Sequence, residues 1–213
     1  MKKYELTDDS ITFMGRKLFR IRAIRSFNDV AVGDLGGYIE KEENLSHDDD
    51  AWISGNACIC GNACISGNAW ISGNACISGN ACIYDYARIY DYARISGNAC
   101  ISDDAWISGN AWISGNARIY DYACISGNAC ICDDAWIHSG ADYLCFQGLG
   151  SKNRNTTFFK CKDGHIHVSC GCFSGNLAEF ETKVKKTHSD SKYAKEYLAC
   201  IEVVKIHFKE ENK

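Results

Sequence analysis

The sequence predicts a mainly β fold, a parallel β-helix of about five triangular coils, closed by an N-terminal β cap and followed by a small α+β module. Three observations carry this. From Ala51 to Gly140 the chain is fifteen uninterrupted hexads of the form Ala-x-Ile-Ser-Gly-Asn. Isoleucine fills its column in all fifteen, from Ile53 to Ile137, and alanine fills its own, from Ala51 to Ala135. A six-residue apolar period also fits no amphipathic helix, whose stripe recurs at three and four residues, but it does fit a short strand plus a corner.

Each column has a physical reading. Isoleucine is β-branched and favours extended backbone, so it makes the inward residue of each strand. Gly-Asn tolerates positive φ at a sharp corner, and the following alanine is small enough to sit inside it. Three strands per turn give an eighteen-residue coil, so fifteen hexads give five coils and a stack about 24 Å tall at strand spacing. No hexad buries its isoleucine alone; stacking makes the core.

Ile-Ser-Gly-Asn-Ala-Cys and its siblings resemble the hexapeptide repeat of left-handed β-helix proteins, although the second position here is Ser, Tyr, Cys or His. The left-handed winding is implied by that resemblance. The lead-in, Ser26-Phe-Asn-Asp-Val through Gly36-Gly-Tyr-Ile and Asn44-Leu-Ser, is similar to the start of an uncharacterised family of enteric bacteria, prophages and gut phages, sometimes labelled acyltransferases. The resemblance covers residues 1–140 and implies phage or prophage encoding.

Residues 1–50, with 8 basic and 11 acidic residues, read as a cap and lead-in. A hairpin about Met14-Gly15-Arg16 is expected to shield the end strands. Residues 141–213 carry 12 basic and 9 acidic residues. There, Asp163-Gly164 predicts a two-residue turn that pairs Lys162 with His165, Lys160 with His167 and Phe159 with Val168. Asn176 and Glu179 have capping-box spacing before a helix with Leu177, Phe180 and Val184 on one stripe. A second helix carries Tyr193, Tyr197, Ile201, Val204 and Phe208.

The 213 residues carry 23 Lys+Arg and 27 Asp+Glu, a net charge of −4, which argues against nucleic acid as the main partner. No apolar run is long enough for a membrane span, and the start turns acidic where a signal peptide needs apolar residues. Fourteen cysteines without an export signal are expected to be reduced thiols in a cytoplasm. His165-x-His167 followed by Cys170-x-Cys172 invites a zinc reading. In the expected register, however, the histidines share a face with Lys160 and Lys162, opposite Cys170 and Cys172, so no metal site is expected.

The column before each isoleucine flanks an inward residue and should point outward. It holds Trp52, Trp70, Trp106, Trp112 and Trp136, together with Arg88, Arg94 and Arg118. Each arginine has a tryptophan one coil later, and Arg88 also has Trp70 one coil earlier, so stacked cation–π contacts are expected. Three hexads replace Ser-Gly-Asn by Tyr84-Asp85-Tyr86, Tyr90-Asp91-Tyr92 and Tyr120-Asp121-Tyr122. Such a concentration of aromatic and charged groups marks an interface, first a homo-oligomer contact (a trimer before a dimer, as the resemblance to left-handed β-helix proteins implies), second a groove stacking a base or sugar. The favoured function is therefore non-catalytic: self-assembly and binding of a small nucleotide-like ligand or a host protein, with no cofactor. The alternative, implied by the resemblance to hexapeptide-repeat proteins, is an acyltransferase using an acyl-CoA donor between subunits. His47 and His138 are the histidines in or beside the repeats, and no loop interrupts the coils to hold an acceptor.

Overall fold

The computed structural model describes residues 1–208; residues 209–213 of the C-terminal segment lie outside the description. Strands β1 (Tyr4–Phe13), β2 (Arg16–Ala23) and β3 (Leu35–Ile39) precede fifteen two-residue strands, β4 (Trp52–Ile53) through β18 (Trp136–Ile137), one per hexad. Every third strand pairs in parallel and in register, isoleucine on isoleucine, which wraps the repeat into three flat faces. The expectation of five coils understates the stack. Tyr38 and Ile39 pair with Cys58 and Ile59, and Leu45 bridges Ile65, so the lead-in adds a turn and the solenoid has about six. The repeat isoleucines and alanines are fully buried and form one continuous core with Tyr4, Ile21 and Ile39.

The corners show why the hexad reads as it does. Each corner glycine from Gly55 to Gly127 sits at φ between 63° and 72°, where a side chain is strained. Where a hexad lacks glycine, aspartate takes the same conformation: Asp85, Asp91, Asp103, Asp121 and Asp133 have φ between 54° and 59°. Aspartate is one of the few side chains that visits this region readily. The residue after the corner forms a ladder of its own. Asn62, Asn80, Asn98, Asn116 and Asp134 hydrogen-bond in sequence along one corner at 2.9–3.1 Å.

At the lower end, β1 and β2 extend one face as an antiparallel hairpin, with Met14 and Gly15 both at positive φ in the turn. Leu18 joins Tyr38, Cys58 and Cys60 in a small outer cluster, while Ile21 and Ala23 enter the main core. Trp52, expected to point outward into solvent, is buried instead because Phe27 of the lead-in covers it edge-on at 5.4 Å.

At the upper end, β19 (Tyr143–Leu149), β20 (Arg154–Lys160), β21 (Ile166–Cys170) and β22 (Phe173–Asn176) form an antiparallel sheet, followed by α1 (Leu177–His188) and α2 (Lys192–His207). One side of this sheet places Phe159 and Cys161 on the end of the solenoid core. The other packs Phe158 and Val168 against Phe180, Val184, Tyr197, Ile201 and Val204. The capping box forms as expected: the Glu179 N–H donates to Asn176 Oδ1 and the Asn176 N–H to Glu179 Oε2.

The β20–β21 register differs from expectation by one residue. Phe159 faces His167 and Lys160 faces Ile166. The turn holds three residues, Lys162 to Gly164, closed by the Cys161 N–H donating to the His165 carbonyl at 3.0 Å. Asp163 stabilises it by accepting from the His165 N–H at 3.2 Å, and Gly164 supplies φ +85°. His165 and His167 therefore share a face with Cys161 and Phe159, not with the two lysines.

Candidate functional site

The eighteen-residue period places the singled-out residues on three different faces rather than in one patch. Consecutive hexads turn a corner, so the Arg88 column and the Arg94 column point in different directions. On the first face Arg88 lies between Trp70 and Trp106, in register with both. On the second, Arg94 lies between Cys76 and Trp112. On the third, Arg118 lies between Cys100 and Trp136. Each register matches the spacing in the sequence.

The expected cation–π pairs do not form from these registers. Among the described residues no guanidinium of Arg88, Arg94 or Arg118 lies over a tryptophan ring; the cation nearest one is Lys162, 5.8 Å from the centre of Trp136. The tyrosine standing in the repeat serine's place leans onto the outward residue of the next coil and competes for the ring. Tyr90 meets Trp106 at 5.4 Å, Tyr120 meets Trp136 at 6.3 Å, and the Tyr84 hydroxyl accepts from the Cys100 thiol at 3.3 Å. The three arginines also make no ion pair among the described residues, which leaves their donors available.

A wide groove lies on the first face. It encloses about 670 Å³ and is lined by Trp70, Tyr86, Arg88 and Tyr90 together with Asn28, Asp29, Asp50 and Asn68. Tyr86 and Tyr90 flank Arg88 from the two corners, Asp85 holding the turn beneath Tyr86. Asn28, Asp29 and Asp50 come from the lead-in, and the repeat pattern gives no signal for them. The groove therefore offers an indole, two phenols, one guanidinium and two carboxylates, a set suited to a planar ring bearing hydroxyl or amino groups and a single anionic group.

A smaller groove of about 270 Å³ on the third face is lined by Tyr84, Cys100, Ser102, Asp103, Arg118, Tyr120 and Trp136. Beside it His138 links two residues of the previous coil. Its Nε2 is 2.8 Å from the Tyr120 hydroxyl, its Nδ1 is 3.5 Å from Asp121 Oδ2, and its ring stacks on Trp136 at 5.9 Å. Burial raises the Tyr120 phenol above its ordinary value, with Asp121 adding to the effect. A signal for this contact exists in the sequence, since Tyr120 and His138 are one coil apart. His47, by contrast, is consumed inside the cap: it stacks on Tyr4 at 4.3 Å, and burial lowers its pKa.

The second face carries Arg94 and Trp112 in the open, and Tyr92 and Asp91 at its edge; Trp112 is 52% exposed. Tyr122 is 80% exposed at a corner of the upper coils. Two groups of potential metal donors, Cys161–His165–His167 and Cys132–Asp133–His167, lie at the seam between solenoid and terminal sheet. All fourteen cysteines are free thiols, and burial pushes Cys132 and Cys161 up to about 12.

Parallel coils, an inward isoleucine column and outward aromatic and arginine columns define a β-solenoid repeat protein. The family model for the YdcK beta solenoid repeat matches residues 93–109, just short of one coil and including Arg94 and Trp106. No curated protein matches the chain. No helix of the described residues is long and apolar enough to cross a membrane.

Proposed function

We propose that this protein is a non-catalytic binding and scaffold solenoid, whose first-face groove takes a small nucleotide-like ligand and whose exposed aromatics support self-assembly. The observation that carries the reading is the coincidence, in one groove, of Trp70, Tyr86 and Tyr90 with the ion-pair-free Arg88. A base would stack against an aromatic face while the guanidinium meets a phosphate. Asp29 and Asp50 would accept from sugar hydroxyls or base amino groups, and they disfavour a ligand with several phosphates. Trp106 and Trp112 are about half exposed on neighbouring faces, which fits packing against further copies of the chain; the resemblance to left-handed β-helix proteins favours a trimer over a dimer.

Calorimetric titration with nucleoside monophosphates tests the groove, and native mass spectrometry reads both assembly and retained ligand. Binding is expected in the wild type and to fall at least about tenfold in Arg88→Ala, the loss of one charge-assisted contact. Arg94→Ala, on another face, is the control. Equal losses in both variants, or no binding by the wild type, would reject the groove.

Acyl transfer is the second reading, favoured by His138 between Asp121 and the Tyr120 hydroxyl. That arrangement suits a general base oriented by a carboxylate. Transfer from acetyl-coenzyme A that disappears in His138→Ala would support it; turnover unchanged by that variant would remove it.

A further inference from the structure

We propose that Cys161, His165 and His167 bind a thiophilic divalent transition-metal ion of the zinc class at the seam between the solenoid and the terminal sheet. The backbone builds the donor set. The three-residue turn pins Cys161 opposite His165 through the Cys161 N–H to His165 carbonyl bond at 3.0 Å and the Gly164 N–H to Cys161 carbonyl bond at 2.9 Å. Alternation along the chain then puts His165, the residue before β21, on the same side as His167. Each residue offers a donor atom within 4.8 Å of the other two. Tetrahedral zinc needs donor–donor separations of about 3.4–3.5 Å, so closure requires side-chain movements of about an ångström and no change of fold.

The surroundings match a metal centre in two further respects. Each histidine has one ring nitrogen engaged by a carboxylate, His165 Nδ1 by Asp163 and His167 Nε2 by Asp133 at 3.0 Å. Carboxylate–histidine pairing of this kind orients the imidazole ligands of metal centres. Beside the donors, a cavity of about 320 Å³ lined by Asp134, Cys161, Lys162, Asp163 and His165 leaves room for water or a small ligand in a fourth position. One thiolate and two imidazoles favour zinc, cobalt, nickel or copper over magnesium or calcium.

The second donor group shares His167, and its Asp133 Oδ2 already accepts from Ser174 Oγ at 3.1 Å and contacts His167 Nε2. Asp133 thus serves the first group as an orienting carboxylate. A metal there would also fasten the seam, because the neighbouring Ala135–Cys161 bridge and the Lys162 N–H to Asp134 carbonyl bond at 3.1 Å join the last coil to the sheet.

The test uses the full chain, stripped with chelator, kept reduced and titrated with cobalt(II). One ion per chain is expected, with the intense visible bands of tetrahedral cobalt, a thiolate charge-transfer band, and displacement of both by zinc. His165 is exposed, so His165→Ala should keep its circular dichroism yet lose at least about tenfold in cobalt affinity, as ligand-shell losses do. Cys161→Ser should lose the charge-transfer band, and His188→Ala, on α1, should behave as wild type. No saturable binding in the micromolar range would overturn the proposal. So would wild-type affinity in His165→Ala, which would assign the cobalt to the other cysteines or to the Cys132 group.

Discussion

Replacing Asp91 at its corner separates the two reasons an aspartate sits where the repeat prefers glycine. Asp91 holds φ 59°, and its Oδ2 accepts the Gly109 N–H of the next coil at 2.9 Å. Asp91→Ala keeps a Cβ in the left-handed region without aspartate's local compensation, a loss of about 1 kcal/mol at the low end of that strain. It also leaves the Gly109 N–H to water; on an exposed corner this hydrogen bond contributes about 1 kcal/mol. The sum is about 2 kcal/mol. Asp91→Gly removes the strain but forfeits the bond and adds unfolded-chain freedom, for a net loss of roughly 1 kcal/mol. Asp91→Asn keeps the conformation and a neutral acceptor, with a loss of about 0.5 kcal/mol. Urea unfolding followed by tryptophan fluorescence should therefore rank wild type above Asn, Gly and Ala in that order. If Gly and Ala prove equally destabilising, or Ala costs less than about 0.5 kcal/mol, the corner conformation does not select this residue.

Three further outcomes are expected. Tyr4→Phe removes a buried hydroxyl lying 2.9 Å from the Glu42 and Leu45 carbonyls and should destabilise by about 1–2 kcal/mol in the same assay. Asn98→Ala breaks the ladder between Asn80 at 3.0 Å and Asn116 at 2.9 Å; it should lose about 1 kcal/mol and speed amide exchange in the adjoining corners. Burial pushes the Cys58 thiol up to about 11 and raises Cys60, Cys76, Cys82, Cys145 and Cys200. The folded protein thus keeps protons that the unfolded chain releases near 9, and stability should hold below that pH and fall between about 9 and 11. Lys3, lowered by burial to about 8, works in the opposite direction over part of this range. It is one group against these six thiols and the still higher Cys132 and Cys161, so a thermal midpoint that rises from pH 9 to 11 would contradict the burial of these thiols.

What the sequence disclosed, and what it did not, follows from the range of each interaction. The isoleucine and alanine columns, the eighteen-residue coil and the Arg–Trp registers depend only on periodic backbone, and the parallel pairing Arg88–Trp106, Arg94–Trp112 and Arg118–Trp136 is in place. The orientation of those side chains was not legible, because Tyr90 and Tyr120 reach the rings from a corner sixteen residues earlier. The groove around Arg88 borrows Asn28, Asp29 and Asp50 from a non-repeating segment, where period carries no information. The β20–β21 register turned on Asp163 capping its own turn, a local choice between two- and three-residue loops that Asp-Gly permits equally. The placement of His138 on Tyr120 could have been read from their one-coil separation.

In-register stacking between two capped ends sets a rule for how such a gene can change length. The sheet grips the last coil at distinct points around the triangle. The Cys130 N–H donates to Thr157 Oγ1, the Ser126 N–H to the Tyr143 hydroxyl, and the Lys162 N–H to the Asp134 carbonyl. Duplicating or excising eighteen residues preserves the rotational phase of all three and leaves both ends matched. A gain or loss of six or twelve keeps these contacts, which all lie within the last coil, but turns that coil and its sheet by a third of a revolution one way or the other against the N-terminal cap and breaks columns such as Trp70–Arg88–Trp106. Growth of this repeat array is thus quantised in whole coils, even though its visible unit is the hexad.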